Sequence, residues 1–394
     1  MLLALIASGI GLPLPGATPV SEGSSPGALR ALPAGAGGFL GGAAPVYFNS
    51  AFLPRVPSSA GYCPSGVCTN LTDDPSINLT STGRLVVAYT AFTDGAACAA
   101  DRPFAQSEVA VVTSSNLGAN WSAPVYLGNP LCNGTTPTGF PDAWEPSVTS
   151  LPNGSIVVVY DELNVSKGTL LPQVALGPST WSIPDSRIVV ARSFNGGANW
   201  TDPLVIDNTS DAALNGAGAI ALRPWATASG RTVYVSWMRL KENAAAAVSP
   251  TTYQYVQTGI ENATSFLSAS SDGGFTFPAP LELPGLATPS GSVAMDPVVL
   301  ATPSGVLYAT YVTDWRFSAE FDCLGPTDLA DCLPYGWTVS IMVGSSTNNG
   351  SRFSWAPAAE GVLAKDAALG PFWDPSPRLA YDPNDDQLAV TYAG

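Results

Sequence analysis

Apolar residues come in short bursts along this chain, either alternating with polar ones or running unbroken, and Pro, Asn and Gly fall between the bursts. That is strand patterning. Residues 146–206 carry it most clearly. Residues 146–151 (PSVTSL) alternate as a half-buried strand, 152–154 (PNG) supply a turn, and 155–160 (SIVVVY) read as a buried strand. After a long connection, 187–192 (RIVVAR) read as a third strand, the octapeptide 193–200 (SFNGGANW) as a turn and 200–206 (WTDPLVI) as a fourth.

The octapeptide recurs. SSNLGANW begins at Ser114, SFNGGANW at Ser193, SSDGGFTF at Ser270 and STNNGSRF at Ser346, with serines 79, 77 and 76 residues apart. A near-constant period of that length marks stacked supersecondary units, none able to bury its own apolar face alone. Each copy has the same plan upstream and downstream. The first predicts strands from Pro75 onward and at 85–89, 109–113 and 121–127. The third predicts 225–227, 232–237, 266–269 and 277–283, and the fourth 297–301, 306–311, 338–343 and 353–362. A fifth copy starts at Pro377 and stops after its second strand. Four antiparallel strands per unit predict an all-β chain, a β-propeller of four complete blades and the start of a fifth. The domain runs over 45–394 and ends in mid-blade, so the expectation is a piece of a six- or seven-bladed ring. The alternative is a closing strand supplied by residues 46–53 and paired with 388–392.

The octapeptides resemble Asp boxes, the BNR repeats of the sialidase-like β-propeller superfamily, and the resemblance covers about residues 70–394. It implies a turn element: the residue at position 3 bonds turn backbone, the glycine meets the tight geometry and the aromatic packs between sheets. Asn116, Asn195 and Asn348 stand where the motif has aspartate, and only Asp272 is acidic.

Composition narrows the chemistry. Of 394 residues 46% are hydrophobic and 11% charged, and the net charge of −15 reflects a scarcity of bases, with only three lysines. Nucleic acid and anionic membrane surfaces are therefore poor partners. The absence of histidine removes Ser-His-Asp and Cys-His catalysis and His-ligated zinc. Residues 1–16 form an apolar run too short to span a bilayer, similar to a secretory signal but lacking its basic start, and 17–44 form a Pro/Gly/Ala-rich linker. Ten of eighteen asparagines lie in Asn-x-Ser/Thr sequons: Asn70, Asn78, Asn120, Asn133, Asn153, Asn164, Asn199, Asn208, Asn262 and Asn349. That excess predicts a glycosylated chain, extracellular or on the cell surface. Six cysteines agree with an oxidising compartment. Pairing neighbours would join Cys63 to Cys68, Cys98 to Cys132 and Cys323 to Cys332, one of fifteen connectivities.

The long insertions, 91–107, 161–186, 239–265 and 313–336, all fall on one face, which is how a rigid scaffold carries a binding site. On that rim the first strands begin Asp73-Asp74-Pro75, Trp144-Glu145-Pro146, Arg223-Pro224-Trp225, Asp296-Pro297 and Trp373-Asp374-Pro375. Carboxylates beside Trp144, Trp225 and Trp373 suit a neutral sugar, a cationic group or a structural calcium; no other cofactor is expected. Repetition in every blade equally suits acids that bond neighbouring backbone. The resemblance implies, for a true sialidase, three arginines that clamp the substrate carboxylate, a Tyr-Glu nucleophile and an Asp acid/base. Here Thr72-Asp73-Asp74-Pro75 occupies the place of the first arginine motif, and the look-alike around Arg55 lies outside the blade register. An acid there would repel a substrate carboxylate by about 1–4 kcal/mol per close pair. The remaining rim arginines are Arg223, Arg239 and Arg316. Two readings follow: a propeller that binds carbohydrate or a surface protein through Trp144, Arg223, Trp225, Arg316, Trp373 and Asp374, or a glycoside hydrolase with Asp101, Glu145 or Asp94 as acid/base.

Overall fold

The computed structural model describes residues 72–92, 107–128, 142–163, 166–167, 181–182, 186–208, 219–242, 260–283, 286–288, 291–317, 337–364 and 377–392. The segments 1–16, 17–44 and 46–53, the six cysteines, Arg55, Asp94, Asp101, Trp373, Asp374, Asn70, Asn133 and Asn164 lie outside the described residues. Of Asp73, Arg316 and Asn262 the backbone alone is described.

Each of the four octapeptide repeats is present as a four-stranded antiparallel unit. The first contains β1 (Thr72–Leu79), β2 (Leu85–Phe92), β3 (Ser107–Ser114) and β4 (Val125–Leu127), in that spatial order. The second contains β5 (Asp142–Ser150) and β6 (Ile156–Leu163), then, after a two-residue pair β7 (Ser166–Lys167) and β8 (Trp181–Ser182), β9 (Ser186–Ser193) and β10 (Leu204–Asn208). The third contains β11 (Ala219–Ser229), β12 (Thr232–Glu242), β13 (Ile260–Ser270) and β14 (Leu281–Glu282). A hairpin the sequence pattern does not announce, β15 (Leu286–Thr288) with β16 (Gly291–Val293), adds to the third sheet through a parallel contact of Val293 with Ala263. The fourth contains β17 (Met295–Ala301), β18 (Leu307–Phe317), β19 (Trp337–Ser346) and β20 (Ser354–Ala364), and β21 (Arg378–Asp382) pairs with β22 (Gln387–Thr391) beyond it.

Strands two and three of the second and third blades are apolar on both faces because each of those sheets lies between two others. Val157, Val159, Ile188 and Val190 of the second blade interlock with Ala221, Val233, Val235 and Trp237 of the third. Tyr234 and Leu267 of the third meet Val299, Leu307 and Ala309 of the fourth in the same way. Each such side chain, fully buried, contributes about 1.5–3 kcal/mol. Fourth strands begin later than the sequence pattern predicts, at Val125, Leu204 and Leu281 rather than at the octapeptide aromatic. The residues between include Pro124, Pro203, Pro278 and Pro280, which have no N–H for a ladder.

The four octapeptides share one hydrogen-bond plan. The first serine donates to the side-chain oxygen at position 3 in all four, at 2.8, 3.0, 2.7 and 2.7 Å. The same serine accepts from the N–H of Gly118, Gly197, Gly274 or Gly350, and the position-3 oxygen accepts from the N–H at position 7. The glycine also sets blade spacing. Gly350 has φ +80°, and a Cβ there would stand 2.8 Å from Leu267 and 3.0 Å from Leu307.

Candidate functional site

Opposite the octapeptides, four first strands make the same bend. The ladder slips between Asp73 and Ser76, Trp144 and Ser147, Leu222 and Trp225, and Met295 and Val298. Each slip is a bulge at a proline, where no N–H is available to the ladder. Before that proline, Asp74 (φ 47°), Glu145 (φ 50°), Arg223 (φ 55°) and Asp296 (φ 51°) are left-handed. Such backbone costs a residue with a Cβ about 1–2 kcal/mol. Glycine would be less strained there, yet all four positions hold a charged side chain, an arrangement that concentrates at working sites.

The bends bring three of these side chains into one network. Arg223 Nη1 reaches Asp296 Oδ1 at 2.5 Å and Arg223 Nε lies 3.5 Å from Glu145 Oε1. The backbone N–H of Arg223 donates to Glu145 Oε2 at 3.0 Å and to Asp161 Oδ2 at 3.2 Å. Asp161, near the end of β6, is fully buried and shares a hydrogen bond with the Glu145 carboxyl. Burial first, then the neighbouring Glu145, pushes the Asp161 carboxyl well above the ordinary carboxylate range, which favours its protonated form beside Glu145. Burial also raises Glu145, with Arg223 working against it. Burial opposes the Arg223 charge, but Asp296 and Glu145 more than offset it and hold the guanidinium firmly protonated. Arg378, from β21, lays its guanidinium 4.9 Å from the centre of the Trp225 ring and feels the charges of Asp296, Asp74 and Glu145.

Not every predicted site residue joins. The Trp144 indole N–H donates to the Ser107 hydroxyl of the first blade. Arg239 is committed to Asp207 through bonds of 2.8 and 2.5 Å and lies over the Phe266 ring, so it does not reach the cluster. Arg223 meets two carboxylates rather than standing free as a clamp. Asp161 and Arg378 were not singled out from the sequence as site residues, although Asp161 closes the apolar run of β6 and Arg378 follows a proline. No group of three or more acidic or cysteine residues among the described residues has the arrangement of a metal site, which leaves the structural calcium without a described set of ligands. No helix of the described residues is long and apolar enough to cross a membrane.

No protein-family model matches the sequence, and no curated protein is significantly similar to it. Solved structures are. The α-L-arabinanase of Penicillium chrysogenum complexed with arabinobiose shares 14% identity at a TM-score of 0.50, covering 86% of this chain and 77% of that one. The GH93 α-L-arabinofuranosidase of Fusarium graminearum, complexed with arabinobiose, shares 10% identity at a TM-score of 0.50, covering 84% and 78%. The fold is the sialidase-like β-propeller. Trypanosoma rangeli sialidase is also similar, at 13% identity and a TM-score of 0.42, covering 75% of this chain and 39% of that one. First strands of successive blades stand side by side, β1 by β5, β5 by β11 and β11 by β17, and so line the axis about which the blades are arranged; its end carries Asp74, Glu145, Arg223 and Asp296, with Asp161 of β6 beside them.

Proposed function

We propose that the charged end of the axis recognises an uncharged saccharide outside the cytoplasm. The observation that carries this reading is a pair of buried carboxyl oxygens flanking Arg223. Asp161 Oδ1 and Asp296 Oδ2 have no hydrogen-bond donor among the described residues. A buried acceptor left unmatched costs about 1–3 kcal/mol, and the hydroxyls of a sugar supply donors of the required kind. Three acids, Asp74, Glu145 and Asp296, face Arg223 and Arg378. That balance disfavours a carboxylated sugar. Titration calorimetry with arabinobiose, neutral hexose oligosaccharides and a sialoside tests the reading. Neutral sugars bind, and Asp296→Asn weakens them about 10- to 100-fold, as expected for one hydrogen bond to a charged group. Absence of any neutral-sugar binding, or binding indifferent to Asp296→Asn, overturns it.

A second reading, glycoside hydrolysis, rests on Asp161, whose raised carboxyl favours the protonated form a general acid needs. Glu145 and Asp161 are in direct hydrogen-bond contact, closer than the roughly 5–5.5 Å that separates acid and nucleophile in a retaining pair, so Asp296 would have to be the second carboxylate. Turnover of aryl arabinofuranosides or sialosides, lost in Asp161→Asn, is its expected result. An inert chain that still binds sugar leaves recognition alone.

A further inference from the structure

The exposed sequons lie together. Among the described residues four sequon asparagines are exposed, Asn120, Asn153, Asn199 and Asn349, and all four sit in the short turns of the octapeptide face. Asn120 and Asn199 occupy position 7 of their octapeptides, Asn349 position 4 of its own, and Asn153 the turn between β5 and β6. These turns interlock into one surface: Ser81 donates to the Pro152 carbonyl at 3.0 Å, Arg84 to the Gly196 carbonyl at 3.2 Å, and the Tyr234 hydroxyl to Asn349 Oδ1 at 3.3 Å.

Side-chain roles separate the asparagines of this face into two kinds. Asn116, Asn195 and Asn348 use Oδ1 to hold the turn, and none is followed at the second position by Ser or Thr. The four exposed sequon asparagines bind the turn, if at all, through Oδ1, as Asn153 does in accepting from the Ser155 N–H at 3.0 Å. Among the described residues their amide nitrogens make no hydrogen bond. Asn78 is different, for its Oδ1 accepts from the Ser150 hydroxyl at 2.7 Å across the β1–β5 junction, where the residue is half-buried.

We infer that Asn120, Asn153, Asn199 and Asn349 are N-glycosylation sites that coat the octapeptide face. In the transfer the amide nitrogen attacks the anomeric carbon of a sugar activated as a phosphate ester. The new C–N bond replaces the C–O bond to phosphate, and the nitrogen loses a proton. The inference rests on the extracytoplasmic location proposed above and is independent of sugar binding. A glycan at Asn78 would wedge the first blade from the second, so the folded chain excludes it.

The test imposes export, so that a negative result concerns the sites and not the location. The full chain, fused to a host secretion signal, is secreted from a eukaryotic cell and mapped by peptide mass spectrometry before and after enzymatic deglycosylation. Glycans on Asn120, Asn153, Asn199 and Asn349, with Asn78 bare in the secreted fraction, are expected. Asn-to-Gln replacement at 120 and 199 then removes two glycans without lowering the unfolding temperature. Fewer than three of the four occupied, or Asn78 occupied as fully as they are, overturns the inference.

Discussion

Arg223 and Asp296 lie 73 residues apart and meet at 2.5 Å, which makes them a direct test of whether the charged end is built into the fold. Arg223→Gln removes the cation and leaves the Asp296 side chain, 3% exposed, without its partner. Breaking a buried pair from one side costs about 3–5 kcal/mol. Because 28% of the Arg223 side chain reaches solvent, screening lowers this to about 2–3 kcal/mol. Asp296→Asn leaves Arg223 beside Glu145 and is milder, about 1–2 kcal/mol. Once Arg223 is gone the Asp296 charge is a burden, so the double variant costs less than the sum of the singles by about 1–2 kcal/mol. Urea unfolding at neutral pH, followed by tryptophan fluorescence at low and high salt, measures all three. The coupling should survive salt because the contact is partly buried. Costs that add within about 0.5 kcal/mol would mean that Arg223 is not held by Asp296.

Three further outcomes are specified. Asp161 has a raised folded pKa, so its contribution to stability is full below the ordinary carboxylate pKa of about 3.9 and is lost as pH rises through the raised value. Asp161→Asn, which keeps a donor for Glu145, should therefore melt above the parent at neutral and alkaline pH and converge with it in acid; equal destabilisation at both ends refutes this. Gly350→Ala combines left-handed strain with contacts at 2.8 and 3.0 Å and should cost about 2–4 kcal/mol, whereas Gly305→Ala, with φ +84° and nothing within 4 Å of its Cβ, should cost about 1 kcal/mol. Equal unfolding midpoints for the two would remove the octapeptide glycine as a blade spacer. Trp237→Ala empties a fully buried site between the second and third blades and frees Asp207 of its 2.5 Å indole donor, so thermal unfolding should show a loss of about 3–5 kcal/mol; a loss under about 1 kcal/mol contradicts the packing.

How far the sequence could be read depends on the range of the interaction. Strands two and three were legible because apolar runs such as IVVVY and RIVVAR state their own burial, and the octapeptides because Ser, Asn or Asp, and Gly close a turn within eight residues. The fourth strands of the first three blades were placed too early, since prolines that deny the ladder its donors outweigh the apolar pattern around them. The hairpin of β15 and β16 carries only three residues in each arm and has no periodicity to read. At the site the first-strand beginnings pointed to Glu145, Arg223 and Asp296, but not to their left-handed backbone, to the Asp161 proton or to Arg378 over Trp225.

The sequence by itself determined an all-β chain of repeated blades, their register and the face on which charge would collect. Local alternation and turn chemistry suffice for that. Only the tertiary structure decided which charges meet: it joined Arg223 to Asp296 and Glu145, sent Arg239 to Asp207 and turned Trp144 toward Ser107. Those partners are some 30 to 80 residues apart and are brought together by the stacking of one twisted sheet on the next, a geometry that no local pattern encodes.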